Sequence, residues 1–401
     1  MVKKKFEGIR DIFKDDAVKF IILMGVVSLL ADMTYEGSRS ITGPYLAILG
    51  ASAVTVGFVA GFAELAGYVV RFFSGHLTDR TRSYWTITLS GYLINLIAVP
   101  LFALAGSWEV AAALIIIERV GKGIRVPSRD VMLSHACSQV GQGWGFGLHE
   151  ALDQIGAILG PLIVAAVLFF HGSYQMGFAF LLLPAILAIS VLMISRSLYP
   201  NPHDLEVATP PLDTTGFRRV YWLYVIAAAL IAAGFADFAL IAYHFQKTAL
   251  VSPGLIPIFY AVAMGVDGIA ALIFGRLFDK VGLSIMIVVA LISSLFAPMV
   301  FLGGIYIAFL GMIIWGVSMG SQESIMRSSI AIMSTVKRRG SAYGIFNTIF
   351  GISWFAGSLL MGILYSFSII DLVVFSVLIQ LISIPIFIKI LKIRKRVMQS
   401  P

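Results

Sequence analysis

Twelve apolar stretches, each long enough to cross a bilayer as a helix, follow one another along the 401-residue chain with short connections between them. They lie near 17–48, 52–77, 83–106, 108–135, 141–171 and 174–195, and then near 218–248, 252–278, 282–303, 305–335, 338–368 and 370–392. About 20 mostly apolar residues are enough for one span. Only 12% of the residues are charged, against about 25% in a typical soluble domain. Such a chain cannot cover itself with a charged surface, so most of its exterior must face lipid. A backbone in hydrocarbon has to satisfy its own hydrogen bonds, which leaves helices for stretches of this length. The expected fold class is an all-α integral membrane protein of twelve transmembrane helices.

The net charge of +8 reads as topology and not as a nucleic-acid surface, because the basic residues recur on one side. Lys3, Lys4, Lys5, Arg10 and Lys14 precede the first span. Arg80, Arg82, Arg129, Arg196, Arg218, Arg219, Arg276, Lys280 and the Lys337-Arg338-Arg339 run follow on the same side, as do Lys392, Arg394, Lys395 and Arg396. The opposite side offers little beyond Lys247. Basic residues in short loops mark the cytoplasmic face. The chain is therefore expected to be a multi-pass protein of the plasma or inner membrane with both termini cytoplasmic. Its first apolar stretch reads as a retained helix. The single cysteine, Cys137, excludes an internal disulfide, and no Cys/His metal cluster is present.

The longest connection, about 196–217, carries Pro200, Pro202, Pro210 and Pro211 among polar residues and reads as a linker. It divides the chain into a six-helix bundle over 1–195, a cytoplasmic linker over 196–217 and a second six-helix bundle over 218–401. The halves repeat. Gly75-His-Leu-Thr-Asp79-Arg80 closes the second span and Gly275-Arg-Leu-Phe-Asp279-Lys280 the eighth, and Ala31-Asp32 in the first has a counterpart in Ala236-Asp237 in the seventh. Paired halves of this kind build one large class of secondary transporters, with the substrate site between them at the midplane.

The Gly-x-x-x-Asp-Arg/Lys pattern resembles the signature loop of the major facilitator superfamily, and the resemblance extends over essentially the whole chain. It implies that Gly75, Asp79, Arg80, Gly275, Asp279 and Lys280 belong to a gate, with Asp79 at a helix N-terminus or near Arg125 or Arg129. Arg119-Val-Gly-Lys-Gly123 looks like the helix-4 motif of that family. Gly147, Gly156, Gly160 and Pro161 are similar to the helix-5 motif of its antiporters, although Val164 and Ala165 replace a later glycine pair. The same glycines also serve close helix packing. A finer resemblance is to a proton-coupled efflux subgroup that includes nickel-resistance permeases, whose His-rich tail this sequence does not show.

Ionisable residues inside a bilayer are costly and mark function by default. Asp32, Glu36 and Arg39 share one face of the first span at i, i+4 and i+7. Either carboxylate is a candidate to exchange protons, or Arg39 neutralises Glu36 and the set is structural. Arg119 lies about 16 Å down its helix at 1.5 Å per residue, and in the family such an arginine pairs with helix-1 carboxylates. His149, Glu150 and Asp153 form either a proton relay or a bonded polar cluster. Asp237 and His244 stand at i, i+7 in the seventh span, and aromatics such as Tyr35, Phe238 and Trp315 are candidates to line an organic cavity. No nucleotide-binding loop or enzyme motif is found, and no cofactor or metal is implied. The expectation is a monomeric, non-enzymatic carrier of a small molecule and protons, an efflux antiporter working by alternating access. A metal-ion exporter, a metabolite uptake symporter and a transporter-like membrane sensor remain alternatives.

Overall fold

A computed structural model describes residues 16–140, 142–202, 219–333 and 339–399. Twelve helices are described: α1 Asp16–Ile48, α2 Ala53–Thr81, α3 Tyr84–Leu104, α4 Trp108–Val140, α5 Gln142–His171, α6 Tyr174–Leu198, α7 Arg219–Lys247, α8 Ile256–Val281, α9 Gly282–Leu302, α10 Ile305–Met333, α11 Arg339–Phe367 and α12 Ile369–Gln399. All but α4 contain a segment long and apolar enough to cross a membrane. α4 has the length, 33 residues, but Glu118, Arg119, Lys122 and Arg125 interrupt its apolar run. Most of the expected linker, residues 203–218, lies outside the described residues.

The helices pack as two equivalent sets. In the first set α5 lies along α1, α4 along α2 and α3, and α6 beside α1. In the second set α11 and α12 lie along the first part of α7, and α10 along α8. Small residues set these approaches, because lipid gives no hydrophobic drive between helices and backbone proximity must supply the contact. Gly156 and Gly160 of α5 sit directly on the backbone of Leu29 and Met33 in α1, and Gly357 of α11 sits equivalently on Ala233 in α7. Gly123 of α4 abuts Gly67 of α2, and Gly316 and Gly320 of α10 abut Ala263 and Asp267 of α8. The sequence repeat is thus a repeat of packing.

The sets meet through α2 with α11, α5 with α8, and α1 with the second part of α7. Gly57 faces Ser358 and Gly362, Phe355 packs against Phe58 and Phe62, and Gly43 sits on Ala239. These contacts gather between the middle of the molecule and the end where α1 runs into α2.

The seventh span departs from the continuous helix expected for 218–248. It is helical over Arg219–Gly234 and again over Phe238–Lys247. Asp237 caps the second part, its Oδ1 accepting the Ala239 N–H at 2.9 Å. The carbonyls freed by the break are satisfied from neighbouring helices: Ser376 Oγ (2.6 Å) and Gln380 Nε2 (3.1 Å) donate to Gly234 O, and Trp315 Nε1 donates to Ala236 O at 3.0 Å. An interrupted helix survives in a membrane only with such partners. Asp237 and His244 are therefore not two positions on one continuous helical face. His244 meets Tyr365, with Nδ1 and the phenol oxygen 3.0 Å apart.

A Cβ at Gly156 or Gly160 collides with α1 backbone, whereas nothing lies within 4 Å of one at Gly147. Gly156→Ala and Gly160→Ala are expected to destabilise the protein by about 1–3 kcal/mol each through overpacking. Gly147→Ala is expected to be neutral or mildly stabilising. Thermal unfolding followed by size-exclusion chromatography measures all three, and a Gly156→Ala protein as stable as the parent would contradict the α1–α5 contact.

Candidate functional site: a buried ion network between α1, α2, α4, α7 and α8

Arg39 is the centre of the buried network. From α1 its guanidinium reaches Asp237 Oδ2 at the α7 break (3.2 Å), Glu64 Oε1 on α2 (3.7 Å) and Glu36 Oε1 on its own helix (3.9 Å). Continuous α-helix through Asp16–Ile48 puts Glu36 and Arg39 on neighbouring positions of one face. Arg119 of α4 approaches Glu64 from the other side, Nε to Oε1 3.1 Å, and also meets Glu118 at 3.6 Å. Glu118 is held in turn by Asn95 of α3 (2.7 Å). Glu36 accepts a hydrogen bond from the Tyr260 phenol of α8 (2.5 Å) and lies 3.9 Å from the Lys122 ammonium. Four carboxylates, Glu36, Glu64, Glu118 and Asp237, thus face three cations, Arg39, Arg119 and Lys122.

A small cavity of about 40 Å³ opens beside this network, lined by Tyr35, Arg39, Glu64, Glu118, Arg119 and Asp237 among others. A water needs roughly 10–15 Å³ on this measure, so the space suits a few waters that would complete the carboxylates' hydrogen bonds.

A second polar cluster lies one to two turns further along α1, toward the helix ends that hold Asp79 and Lys280. Arg129 of α4 pairs with Asp130 (2.8 Å) and donates to Ser28 Oγ (3.3 Å). Ser28 Oγ stands 2.8 Å from His149 Nε2 on α5, and His149 Nδ1 is 3.6 Å from Asp153 Oδ2. Arg125 is fully buried with its guanidinium over the Tyr92 ring (4.3 Å) and near Tyr35 (5.5 Å), and its Nε and Nη1 have no hydrogen-bond partner. Lys122 lies over Tyr35 at 3.9 Å, between the two clusters. Asp32 is 6% exposed and its Oδ1 has no partner. The charges that face it are Asp153, Lys122, Arg125 and Glu36.

The sequence thus points to many of the right side chains but not to their pairing. Arg119 meets Glu64 and Glu118, not the helix-1 carboxylates that the family resemblance implies. It is Lys122 that reaches Glu36. Glu64, Lys122, Arg125 and Tyr260 belong to the site although none is a leading candidate from the sequence. Intramembrane charge alone flags the first three; nothing in the sequence marks Tyr260. Glu150 is exposed and lies outside the Ser28–His149–Asp153 chain.

Of the gate residues, Gly75 through Arg80 lie inside α2, which ends where Arg82 turns left-handed (φ 53°) and donates to Thr78 O. Asp79 and Arg80 are exposed there, and the carboxylate that Arg129 meets is Asp130. Gly275 and Lys280 likewise lie within α8, and the Asp279 side chain is outside the described residues. Gly75 faces Pro127 of α4 and Gly275 faces Ser324 of α10, equivalent places in the two sets. Gly147 faces open space, while Gly156 and Gly160 pack on α1 and Pro161 lies inside α5.

Removing one member of a buried pair leaves an uncompensated charge, at a cost of about 3–5 kcal/mol. Arg39→Met is expected to reduce stability on that scale. Adding Asp237→Asn to Arg39→Met should recover part of it, since one stranded charge is then removed. Melting of the purified proteins measures both, and a double variant no more stable than the single would show that Asp237 is not the principal partner of Arg39.

The Major Facilitator Superfamily profile matches residues 24–358. An uncharacterized protein of Mycobacterium tuberculosis is 39% identical over 375 residues, 92% of each chain. An uncharacterized MFS-type transporter of Methanocaldococcus jannaschii is 25% identical over 388 residues, again 92% of each. Among solved structures, the nucleoside transporter NupG superposes with a TM-score of 0.71 at 14% identity, over 94% of this chain and 99% of that one. An inward-facing, unoccupied bacterial homolog of the human lysosomal transporter Spinster gives 0.72 at 14%, over 93% and 98%. A peptide transporter POT in complex with sulfate gives 0.72 at 14%, over 94% of each chain. At such identities the structural likeness speaks for the fold alone, but the profile spans most of the chain, and together with twelve helices packed as two equivalent sets it places this protein in the major facilitator superfamily of membrane transporters.

Proposed function

We propose that the protein is a secondary active, proton-coupled antiporter that exports a small organic molecule by alternating access. Residues 1–195 and 218–401 rock about a site near the midplane, joined by the linker over 196–217. It works as a monomer in the plasma or inner membrane with both termini cytoplasmic.

The observation that carries the coupling is Asp32. Nearly every other acid of the network has an assigned cation or donor, but Asp32 is buried with an oxygen that has none. Asp153 and Glu36 act on it as like charges, and Lys122 and Arg125 as opposite ones. An ionised carboxylate in that position draws on cations held over aromatic rings, and a protonated one releases them, so proton occupancy alters how α1 holds α4. A ligand shifts an equilibrium only by its differential interaction with the two states, and Asp32 offers that difference for a proton. The Arg39–Asp237 and Glu36–Tyr260 contacts tie α1 to α7 and α8, so a change at α1 is felt across the halves. The export direction is supported by Gly156, Gly160 and Pro161, which press α5 onto α1 at Asp32 itself: a Cβ at Gly156 would meet Asp32 Cβ.

Proteoliposomes with a trapped pH indicator test this reading. Across a panel of uncharged drugs, organic cations and metal ions, at least one organic compound is expected to drive proton movement, and a proton gradient is expected to drive its uphill flux. Asp32→Asn is expected to abolish the pH dependence of transport while leaving downhill exchange. Full pH dependence in Asp32→Asn would exclude Asp32 as the coupling group.

A further inference from the structure

Where α1 meets α5, a second acid shares the condition of Asp32. Asp32 Oδ1 and Asp153 Oδ1 are both buried and both lack a hydrogen-bond partner. The packing of the two helices brings these side chains together. A Cβ at Gly156 would lie 3.0 Å from Asp32 Cβ. Asp153 precedes Gly156 by three residues, so the two neighbour each other on the surface of α5. Ser28, one turn before Asp32 on α1, reaches the Asp153 carboxyl. Asp153 thus lies against the turn of α1 that runs from Ser28 to Asp32. Among the charges that act on Asp32, Asp153 is the strongest.

The cations around this pair do not balance it. The network at Arg39 already sets four carboxylates against three cations, and Lys122, 3.9 Å from Glu36, is one of the three. Arg129 is paired with Asp130 at 2.8 Å. That leaves Arg125, which acts on both Asp32 and Asp153. Its guanidinium lies over the Tyr92 ring of α3, and its Nε and Nη1 donate to neither acid. One guanidinium carries one positive charge. Even drawn onto both carboxylates it would leave a negative charge inside the bilayer, where such a charge is costly. His149, 3.6 Å from Asp153 Oδ2, is a poor place for a further positive charge, because Arg129 and Arg125 already face it. Tyr35 and Glu36 of α1, the other titratable groups beside Asp32, bring no positive charge.

One proton resolves both deficits. A protonated acid donates and an ionised one only accepts, so a single O–H between the carboxyls serves both orphan oxygens. It also reduces the pair to one negative charge, which Arg125 matches. Carboxylates this closely coupled lose their protons in separate steps that belong to the pair and not to either residue.

We propose that Asp32 and Asp153 form a carboxyl–carboxylate pair that holds one proton between α1 and α5. The proposal rests on the transport reading above and names how its proton is held. Binding the proton joins the two helices through an O–H bond beside Gly156. Releasing it sets two like charges against each other there and draws Arg125 off Tyr92. Asp153 is followed in the chain by Gln154, which donates to Asp267 Oδ2 of α8 at 3.5 Å. A change at the pair therefore acts next to a contact with the second set of helices.

The test is a pH titration of the full-length protein in liposomes followed by infrared difference spectroscopy, which separates the C=O stretch of a protonated carboxylic acid from that of a carboxylate. The double variant Asp32→Asn/Asp153→Asn lacks the pair and identifies its band by difference from the parent. The parent is expected to show the band of one acid. Asp153→Asn keeps the size of the side chain and removes its charge, and is expected to weaken proton binding at Asp32 about 10-fold or more, since a like charge that favours the protonated form is gone. Asp32→Asn is the reciprocal measurement and is expected to weaken proton binding at Asp153 to the same extent. Asp153→Glu keeps the charge and should restore most of the affinity. A purely structural Asp153 would leave the titration where it is. A band that titrates in a folded Asp153→Asn protein as in the parent would overturn the pair and leave Asp32 as a lone proton site. Two bands that vanish independently, one with each substitution, would also overturn it. The coupling fails separately: transport indifferent to protons, with the band still shifted by either substitution, would sink the antiport reading and leave the pair standing.

Discussion

A guanidinium buried in a membrane must find carboxylates, and Arg39 finds three of them on three different helices. Its bonds to Glu36, Glu64 and Asp237 join α1 to α2 within one half and to the α7 break in the other. The rest of the site follows from this. Glu64 is shared with Arg119, which brings in α4, and Glu36 is shared with Lys122 and Tyr260, which bring in α4 again and α8. Such pairs are weak evidence of net stability, because desolvation offsets much of their attraction. Their effect is to fix which helix faces which, since a misplaced helix would leave a charge stranded in lipid.

The break in α7 is the backbone counterpart of that network. A continuous helix would place Asp237 on a regular face; interrupted at Gly234–Asp237, the chain presents the carboxylate as a cap, with Oδ1 bound to backbone and Oδ2 free for Arg39. The cost of opening a helix in the bilayer is met by Trp315, Ser376 and Gln380 from α10 and α12. The second part of α7 then lies against α1, with Gly43 on Ala239. Interrupted helices at the midplane are a recurring means by which transporters combine a polar site with a lipid-facing exterior.

Two kinds of carboxylate emerge. Glu36, Glu64, Glu118 and Asp237 are tied to fixed partners and act as framework. Asp32 and Asp267, by contrast, each carry a buried oxygen without a hydrogen-bond partner. Of the first kind, Glu36 and Asp237 join the two sets of helices, through Tyr260 and Arg39, while Glu64 and Glu118 tie helices of the first set to one another. Asp32 and Asp267 lie on either side of α5, which packs on α1 through glycine and on α8 through Gln154.

The sequence by itself determined the membrane setting, the twelve helices and the two-fold repeat, because those depend on the length of apolar runs and on charge scarcity, which are one-dimensional properties. It also exposed Asp32, Glu36, Arg39, Arg119 and Asp237 as costly residues, since a charge in an apolar run is visible without coordinates. Asp267 is visible in the same way, but with no periodic partner on α8 it does not stand out. Only the tertiary structure decided the pairing. Helical spacing relates residues on one helix, so it links Asp32, Glu36 and Arg39. It cannot show that Arg39 bonds to α2 and α7, that Arg119 turns to Glu64, or that Gln154 of α5 reaches Asp267 of α8. Those contacts join residues far apart in the chain through glycine-set helix approaches, and distance across a membrane bundle is not written in any single span.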